Sequence, residues 1–333
     1  MLLSGIYNVT LSIRGFLYKT GLKKTRRLPS KVISIGNLTL GGTGKTPATI
    51  ALAEEAKRRG LIPCILTRGY KGKAKKPCFI NASHLTPYTS HLYGDEAVVI
   101  AERLKDVPIV KGRDRYKSGI FAIDNLNSKL IFILDDGFQH WALYRDVDVL
   151  LINATNPFGN ERLFPEGILR EPLNAIKRAH IIVLTKTDAV TQEQITALSL
   201  RIRQYNSNAP LYMAFHKPVS LINPNGVVKD LDFIKGKRVY AFSGIANPSY
   251  FKTVLSSVGS DVVEFKPFKD HYRYRQQDIN KIIKKAEGLE IITTEKDLVK
   301  LKGLRLTKNI FALSIEFSIN KEFFDYALEG ISY

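Results

Sequence analysis

Eight consecutive residues constrain this chain more than any others: Thr39-Leu40-Gly41-Gly42-Thr43-Gly44-Lys45-Thr46. An apolar run, Val32-Ile33-Ser34-Ile35, leads into them, and a helix predicted from Pro47 to about Arg59 leads out. Strand, glycine-rich turn and helix in that order make a phosphate cradle. The glycines let backbone N–H groups face an anion without obstruction by Cβ, and the helix N-terminus adds partial positive charge. Lys45 is placed to reach β- and γ-phosphates, and the Thr46 hydroxyl to ligate magnesium. Pro47 suits a first helical turn, where a missing N–H costs little. The usual pattern, G-x-x-x-x-G-K-[ST], has its first glycine replaced by Thr39 here. The strand–loop–helix context therefore carries the assignment, and all of Thr39 to Thr46 are candidate nucleotide-binding residues.

Around this loop, apolar strand candidates alternate with helical stretches: Pro63–Leu66, Ile109–Val110, Leu130–Leu134, Val147–Ile152 and Ile181–Leu184. Such alternation indicates βαβ units and a mostly parallel sheet. Leu211–His216 reads as a connecting strand. Beyond it come Arg238–Phe242, Val262–Phe265, Glu290–Thr294 and Ile310–Leu313, with helices near Pro248–Ser257, Gln277–Ala286 and Lys321–Leu328. A length of 333 residues suits about two domains. The expected fold is α/β: a P-loop NTPase-like, mostly parallel sheet with helices on both faces, a smaller C-terminal α/β domain and an N-terminal amphipathic helix. The expected boundaries are 1–28 for that helix, 29–210 for the P-loop domain and 211–333 for the smaller domain.

Carboxylates follow at informative places. The run Leu130–Leu134 ends in Asp135-Asp136, and an apolar strand ending in acids beside a P-loop is suited to hold magnesium or its water. Adjacent residues point to opposite sides, so one of the two faces the metal more directly. Gly137-Phe138-Gln139-His140 keeps polar groups at the edge where open α/β sheets bind ligands. Gly94-Asp95-Glu96 reads as a turn carrying two acids. Asp95 is a candidate base for a hydroxyl nucleophile, and equally a helix cap. His271, in Asp270-His271-Tyr272, is suited to support a base, bind metal or serve structure alone. Arg68-Gly69-Tyr70, Lys111–Arg115 and Leu169-Arg170-Glu171-Pro172 place arginines after strands, as clamps for phosphates or as solvated surface charge.

The formal charge of +19 directs the chain toward anions: nucleic acid, anionic lipid or phosphorylated substrates. No RRM, KH, zinc-finger or basic-zipper signature accompanies that charge, and no nucleic-acid partner is expected. Cys64 and Cys78 are the only cysteines and form no CxxC, which argues against structural zinc and against a disulfide framework. Residues 1–53 contain no Asp or Glu. Within them Leu2, Ile6, Val9, Ile13 and Phe16 recur at helical spacing, widened by Leu3, Leu17 and Tyr18, with Arg14, Lys19, Lys23, Lys24, Arg26 and Arg27 toward the C-terminal side. Arg14 and Lys19 interrupt the run, so a transmembrane span is not expected. An interfacial helix on an anionic membrane fits, as does a helix packed on its own domain; one helix serves both if its faces are shared.

These blocks, in this order, resemble one family, the tetraacyldisaccharide 4′-kinases (lipid A 4′-kinases) of Gram-negative bacteria. The resemblance runs along nearly the whole chain. It includes Ile35-Gly36-Asn37-Leu38 entering the atypical loop, Arg68-Gly69-Tyr70, Gly94-Asp95-Glu96, Lys111–Arg115 and Asp135-Asp136-Gly137-Phe138-Gln139-His140. It continues with Phe164–Glu171, Phe242–Pro248, Phe268-Lys269-Asp270-His271-Tyr272 and Thr293-Thr294-Glu295-Lys296-Asp297. Departures are small: Ala97 where the family often has proline, and Phe164-Pro165-Glu166-Gly167 where it often has Leu-Pro-Ala-Gly.

The resemblance implies transfer of the ATP γ-phosphate to the 4′-hydroxyl of tetraacyldisaccharide 1-phosphate, giving lipid IVA in lipid A biosynthesis. ATP is implied as co-substrate and Mg2+ as cofactor. It implies Asp95 as base helped by His271; Lys45 and Arg170 neutralising charge; Thr46, Asp135, Asp136 and Gln139 organising the metal; and Arg68, Tyr70 and Arg113 contacting the acceptor. The implied place is the cytoplasmic face of the inner membrane, held peripherally on an anionic surface, with a lipid A precursor as partner and no protein partner. The rival reading is a P-loop GTPase or metallochaperone-like switch, because Thr185-Lys186-Thr187-Asp188 looks like the [NT]KxD element that reads guanine. Leu40 stands where the partitioning-class ATPases carry an early lysine, which weakens that version.

Overall fold

A computed structural model describes residues 2–70, 72, 73, 76–81 and 89–330. Its centre is β1 (Val32–Asn37), which pairs in parallel with β5 (Leu130–Asp135) on one side and β6 (Val147–Asn153) on the other. Every residue of these three strands is buried. Both faces of a parallel sheet are covered by helices, so its strands read as continuous apolar runs rather than alternating ones. Ile33 and Ile35 pack on one side with Leu52 of α2 (Lys45–Arg58) and Ile100 of α4 (Asp95–Arg103). Val32 turns to the other side, with Phe132, Leu134 and Ala122 of α5 (Arg115–Leu126). Full burial of each such side chain contributes about 1.5–3 kcal/mol, so this double-sided core fixes where the loop after β1 emerges.

The sheet continues outward from β5 through β2 (Ile62–Thr67), β4 (Ile109–Lys111) and β3 (Cys78–Phe79). From β6 it runs through β7 (Ile181–Thr185) to the twelve-residue β8 (Leu211–Ile222). There the direction reverses. β13 (Ile310–Ile319) pairs antiparallel with β8 and is parallel to β12 (Glu290–Thr294), which is parallel to β10 (Arg238–Ser243), itself parallel to β11 (Asp261–Pro267). The short β9 (Val228–Lys229) also pairs with β8.

The register along β8 decides the shape of the molecule. The first half of the sheet meets β8 with its C-terminal end at Thr185↔Ala214. The second half runs the other way and ends at Thr294↔Leu313↔Leu221. The two C-terminal edges therefore face each other across the stretch between Ala214 and Leu221, roughly 24 Å at 3.4 Å per residue. Ligands of α/β sheets bind outside the carboxyl ends of strands. Here two such edges share one cleft, floored by the middle of β8 and by β13.

The predicted strands and their order along the chain agree with this architecture. Two local differences have clear reasons. The helix expected from Pro47 starts at Lys45, because left-handed Gly44 caps it and Pro47 occupies its third position. Gly94-Asp95-Glu96 is not a free turn: Asp95 and Glu96 open α4, and Gly94 is its N-cap. Both cysteines are free thiols, and burial pushes Cys64 up to about 12.

α1 (Leu2–Lys19) lies against the body by one face only. Tyr7 donates its hydroxyl to the Arg170 carbonyl at 2.9 Å, Arg14 stacks over Trp141, and Tyr18 meets the same ring edge-on. Ile6, Val9, Ile13 and Phe16 point away from the body, 57, 58, 55 and 62% exposed. Leu17 and Tyr18, expected to widen that face, are instead partly buried; the side chains of Leu2 and Leu3 lie outside the described residues. Among the described residues no helix is long and apolar enough to cross a membrane.

Candidate active site

The cleft between the two edges has a volume of about 1200 Å3. The loop Leu40–Thr46 forms one wall. Lys45 Nζ lies 3.4 Å from Asn37 Oδ1 and 3.6 Å from Asp136 Oδ1. The loop rests on the end of β7: the Thr185 hydroxyl donates to Thr43 O at 3.1 Å, and Lys186 Nζ donates to Gly42 O at 2.7 Å. Burial pushes Lys186 down to about 8. Lys186 thus supports the loop from below. The Asp188 carboxylate accepts from the Tyr250 hydroxyl with both oxygens, at 2.9 and 3.2 Å.

Asp135 and Asp136 take different environments, as expected of adjacent residues leaving a strand. Asp135 is 3% exposed and accepts from the Thr67 hydroxyl at 3.0 Å through Oδ2. Its Oδ1 is buried with no partner among the described residues. Burial, reinforced by Glu96 and Asp136, pushes its carboxyl up to about 7. Asp136 has φ 54, a left-handed conformation that costs of order 1–3 kcal/mol and that aspartate tolerates better than most. Arg170 holds it there, Nη1 donating to both carboxylate oxygens at 2.8 and 2.9 Å. Burial works against the charge of Asp136, but Lys45 and Arg170 outweigh it and hold the group at about 2. Arg170 is itself fixed by backbone pairing, its N–H donating to Leu38 O at 2.7 Å beside the Leu40 N–H bond to Ile168 O.

Asp95 and His271 come from opposite halves of the sheet, 176 residues apart, and meet with Nδ1 3.1 Å from Oδ2. A carboxylate only accepts, so Nδ1 carries the proton. Burial opposes the charge of Asp95, but the His271 hydrogen bond and the charges of Lys300, His271 and Lys296 keep its carboxyl below the usual range. The alternative of a capping role for Asp95 is not used: α4 has no side-chain cap, and the carboxylate turns to His271. Gly94 is required at this start. With φ 92 it sits where side chains are strained, and a Cβ would lie 2.4 Å from Tyr70 O.

Of the other candidates, Thr46, Arg68, Tyr70, Arg113 and Gln139 all line the cleft. Tyr70 lies with its ring 5.6 Å from His271. Gln139 is engaged at both ends of its amide, donating to Asn37 O at 2.9 Å and accepting from Arg170 at 3.4 Å. Sequence reasoning named Arg115 only within the Lys111–Arg115 clamp, and it missed two cross-links. Buried Arg115 lies near both aspartates and is pushed down to about 10 by burial. Glu96 pairs with Lys296 across the cleft at 3.2 Å, and Arg103 pairs with Glu295 at 3.0 Å. The pairs link α4 to α9 (Glu295–Leu301), elements far apart in sequence, so no spacing could have found them. The signal for Arg115 is its place as the first helix residue after the capping Asp114, on a helix face that turns inward.

The family model described as "LpxK: Tetraacyldisaccharide-1-P 4'-kinase" matches residues 1–331. The chain belongs to the tetraacyldisaccharide 4′-kinase family. Relatives carrying that name include one from Syntrophus aciditrophicus, 38% identical over 95% of this chain and 87% of its own length. Another, from Halothermothrix orenii, is 36% identical over 96% of this chain and 88% of its own. The structure is similar to a crystal structure of LpxK from Aquifex aeolicus in complex with ATP. The TM-score is 0.77 at 34% identity, covering 99% of this chain and 98% of that one. Family membership sets aside the GTPase reading of Thr185–Asp188.

Proposed function

We propose that this tetraacyldisaccharide 4′-kinase uses ATP bound on Leu40–Thr46 and an Asp95–His271 pair to phosphorylate the 4′-hydroxyl of tetraacyldisaccharide 1-phosphate. The observation that carries the assignment of roles is the 3.1 Å contact of Asp95 with His271, which lines the same cleft as the phosphate loop. The acceptor oxygen attacks the γ-phosphorus as the bond from that phosphorus to the β,γ-bridging oxygen breaks. Asp95 takes the hydroxyl proton, and ADP leaves with the bond's electron pair. His271 orients the carboxylate by donating from Nδ1. Lys45, Arg170 and Arg115 stand where charge on the transferring group must be offset. Arg68, Tyr70 and Arg113 line the same cleft and suit contacts to the acceptor, whose own phosphate favours a cationic lining.

The residues fit a magnesium ion: Asp135 Oδ1 is a buried carboxylate oxygen in want of a cation, and Thr46 and Asp136 flank the same space. Among the described residues no cluster of three or more ligating side chains exists, in keeping with an ion that takes most of its ligands from phosphates and water. When bound, it would screen phosphate charge. Gln139 holds Asn37 and Arg170 and so shapes this corner. Residues 29–210 and 211–333 act as the two domains, with 1–28 as a membrane-associating segment. The outward row Ile6, Val9, Ile13 and Phe16 supports a peripheral place on a membrane surface, and the assigned place is the anionic cytoplasmic face of the inner membrane.

The test is transfer of labelled γ-phosphate to tetraacyldisaccharide 1-phosphate in detergent. Asp95→Asn should lower kcat by about 10^2–10^4 with ATP KM little changed. Turnover near that of the parent enzyme would remove Asp95 from the chemistry.

A further inference from the structure

Behind the Asp95–His271 pair lies a second carboxylate with no role in the steps above. Asp297, on α9, is fully buried at 0% exposure. Its oxygens accept from the Gly244 N–H at 3.1 and 3.0 Å, from the Tyr274 hydroxyl at 3.0 Å and from the Thr294 hydroxyl at 2.7 Å. Lys300 Nζ lies 2.6 Å from Oδ1 as counter-charge. A buried, hydrogen-bonded ion pair contributes little to stability compared with apolar packing, so its presence invites another explanation.

The Gly244 peptide supplies one. Its N–H is gripped by Asp297, and its carbonyl accepts the His271 N–H at 3.2 Å and Lys300 Nζ at 3.3 Å. His271 has φ 58, a conformation that side chains adopt only when the surroundings impose it. The Gly244 carbonyl is one of those surroundings. The fit leaves no slack: a Cβ on Gly244 would lie 2.9 Å from the Tyr274 hydroxyl oxygen and 3.1 Å from Asp297 Oδ1. A continuous set of hydrogen bonds thus runs from Asp297 through Gly244 to His271 and on to Asp95.

We infer that Asp297 is a positioning residue for phosphoryl transfer, fixing through the Gly244 peptide the backbone of His271 that aims Nδ1 at Asp95. This rests on the pairing of Asp95 and His271 given above. The chain of contacts explains why a carboxylate is kept fully buried in the first turn of α9. It also places the effect in the second half of the sheet.

The experiment is a double-mutant cycle between Asp297→Asn and His271→Ala, read as kcat and ATP KM at saturating lipid, with folding checked by thermal unfolding. Asparagine keeps the shape but turns one acceptor into a donor facing the Gly244 N–H. The expected result is a fall in kcat of about tenfold or more with ATP KM within about twofold, and less than about twofold further loss on adding Asp297→Asn to His271→Ala. Losses that multiply, or a folded Asp297→Asn enzyme with parental kcat, would overturn the inference. Should Asp297→Asn fail to fold, Tyr274→Phe removes one donor to the same carboxylate, and the same cycle with His271→Ala applies: the expected kcat loss again vanishes in that background, and a multiplying or absent loss overturns the inference. If His271→Ala keeps full kcat, the paired reading of Asp95 and His271 falls first. A fall in His271→Ala with none in Asp297→Asn removes only the role of Asp297.

Discussion

Replacing Asp135 with asparagine should make the metal-free protein more stable above neutral pH and leave it unchanged in acid. Burial raises the folded-state carboxyl from 3.8 to about 7. Below 3.8 both folded and unfolded states carry the proton, and the group contributes no pH dependence. Between 3.8 and about 7 the folded state holds a proton that the unfolded state has lost, so stability falls as pH rises. At 1.36 kcal/mol per pH unit the cumulative cost approaches about 4 kcal/mol. Asparagine keeps an oxygen for the Thr67 hydroxyl and never ionises, so it escapes this cost. For 333 residues the unfolding entropy is about 0.7 kcal/mol/K, taken at 2.1 cal/mol/K per residue. The Tm of Asp135→Asn should therefore exceed that of the parent by roughly 3–6 °C at pH 8 in chelator, with the gap closing toward pH 4. Differential scanning calorimetry across that range measures it. A gap independent of pH, or one that widens in acid, would refute the claim that desolvation dominates Asp135.

Lys45→Ala should abolish detectable phosphoryl transfer while the protein stays folded, and retained turnover would show that Lys45 does not meet the nucleotide. Arg170→Met removes the partner that holds left-handed Asp136; the expected results are a Tm lower by a few degrees and a kcat loss of about tenfold or more, and parental values of both would make the Arg170–Asp136 contact incidental. Replacing Ile6, Val9, Ile13 and Phe16 together by serine should cut binding to anionic liposomes by about 10^2 or more while activity on detergent-dispersed lipid persists, whereas unchanged partitioning would assign membrane contact to another surface.

The sequence made some of this legible and hid the rest for physical reasons. Apolar runs long enough to be buried on both faces identified β1, β5, β6 and β7 almost to the residue, because burial and strand length act locally. Lys45 and the acids after β5 were visible for the same reason: a strand end, a turn and a helix start are neighbours in sequence. The residues alone left Asp95 between base and cap and His271 between base support, metal binding and structure; the family resemblance paired the two. The structure brings Asp95 and His271 together in a 3.1 Å contact that spans 176 residues, and no local pattern encodes it. The reversal at β8, the Glu96–Lys296 pair and the hold of Asp297 on Gly244 are likewise tertiary facts.

The ladder between β8 and β13 carries an irregularity whose meaning reaches beyond pairing. Ser314 is opposite Ser220 and Ile315 opposite Pro218, so Val219 is an extra residue in β8, next to a proline that has no N–H to offer a ladder. A bulge with a proline cannot be reproduced two places along, so it acts as an index mark for the two strands. The halves carrying Asp95 and His271 are thereby set at a distance counted in residues, not adjusted by soft contacts. A two-residue slip would move one half by roughly 7 Å while remaking every other bond of the ladder. The accuracy of a phosphoryl transfer is stored here as strand arithmetic, and insertions between Ala214 and Leu221 should be far less tolerable than insertions of equal length in the surface turn at Asn223–Gly226.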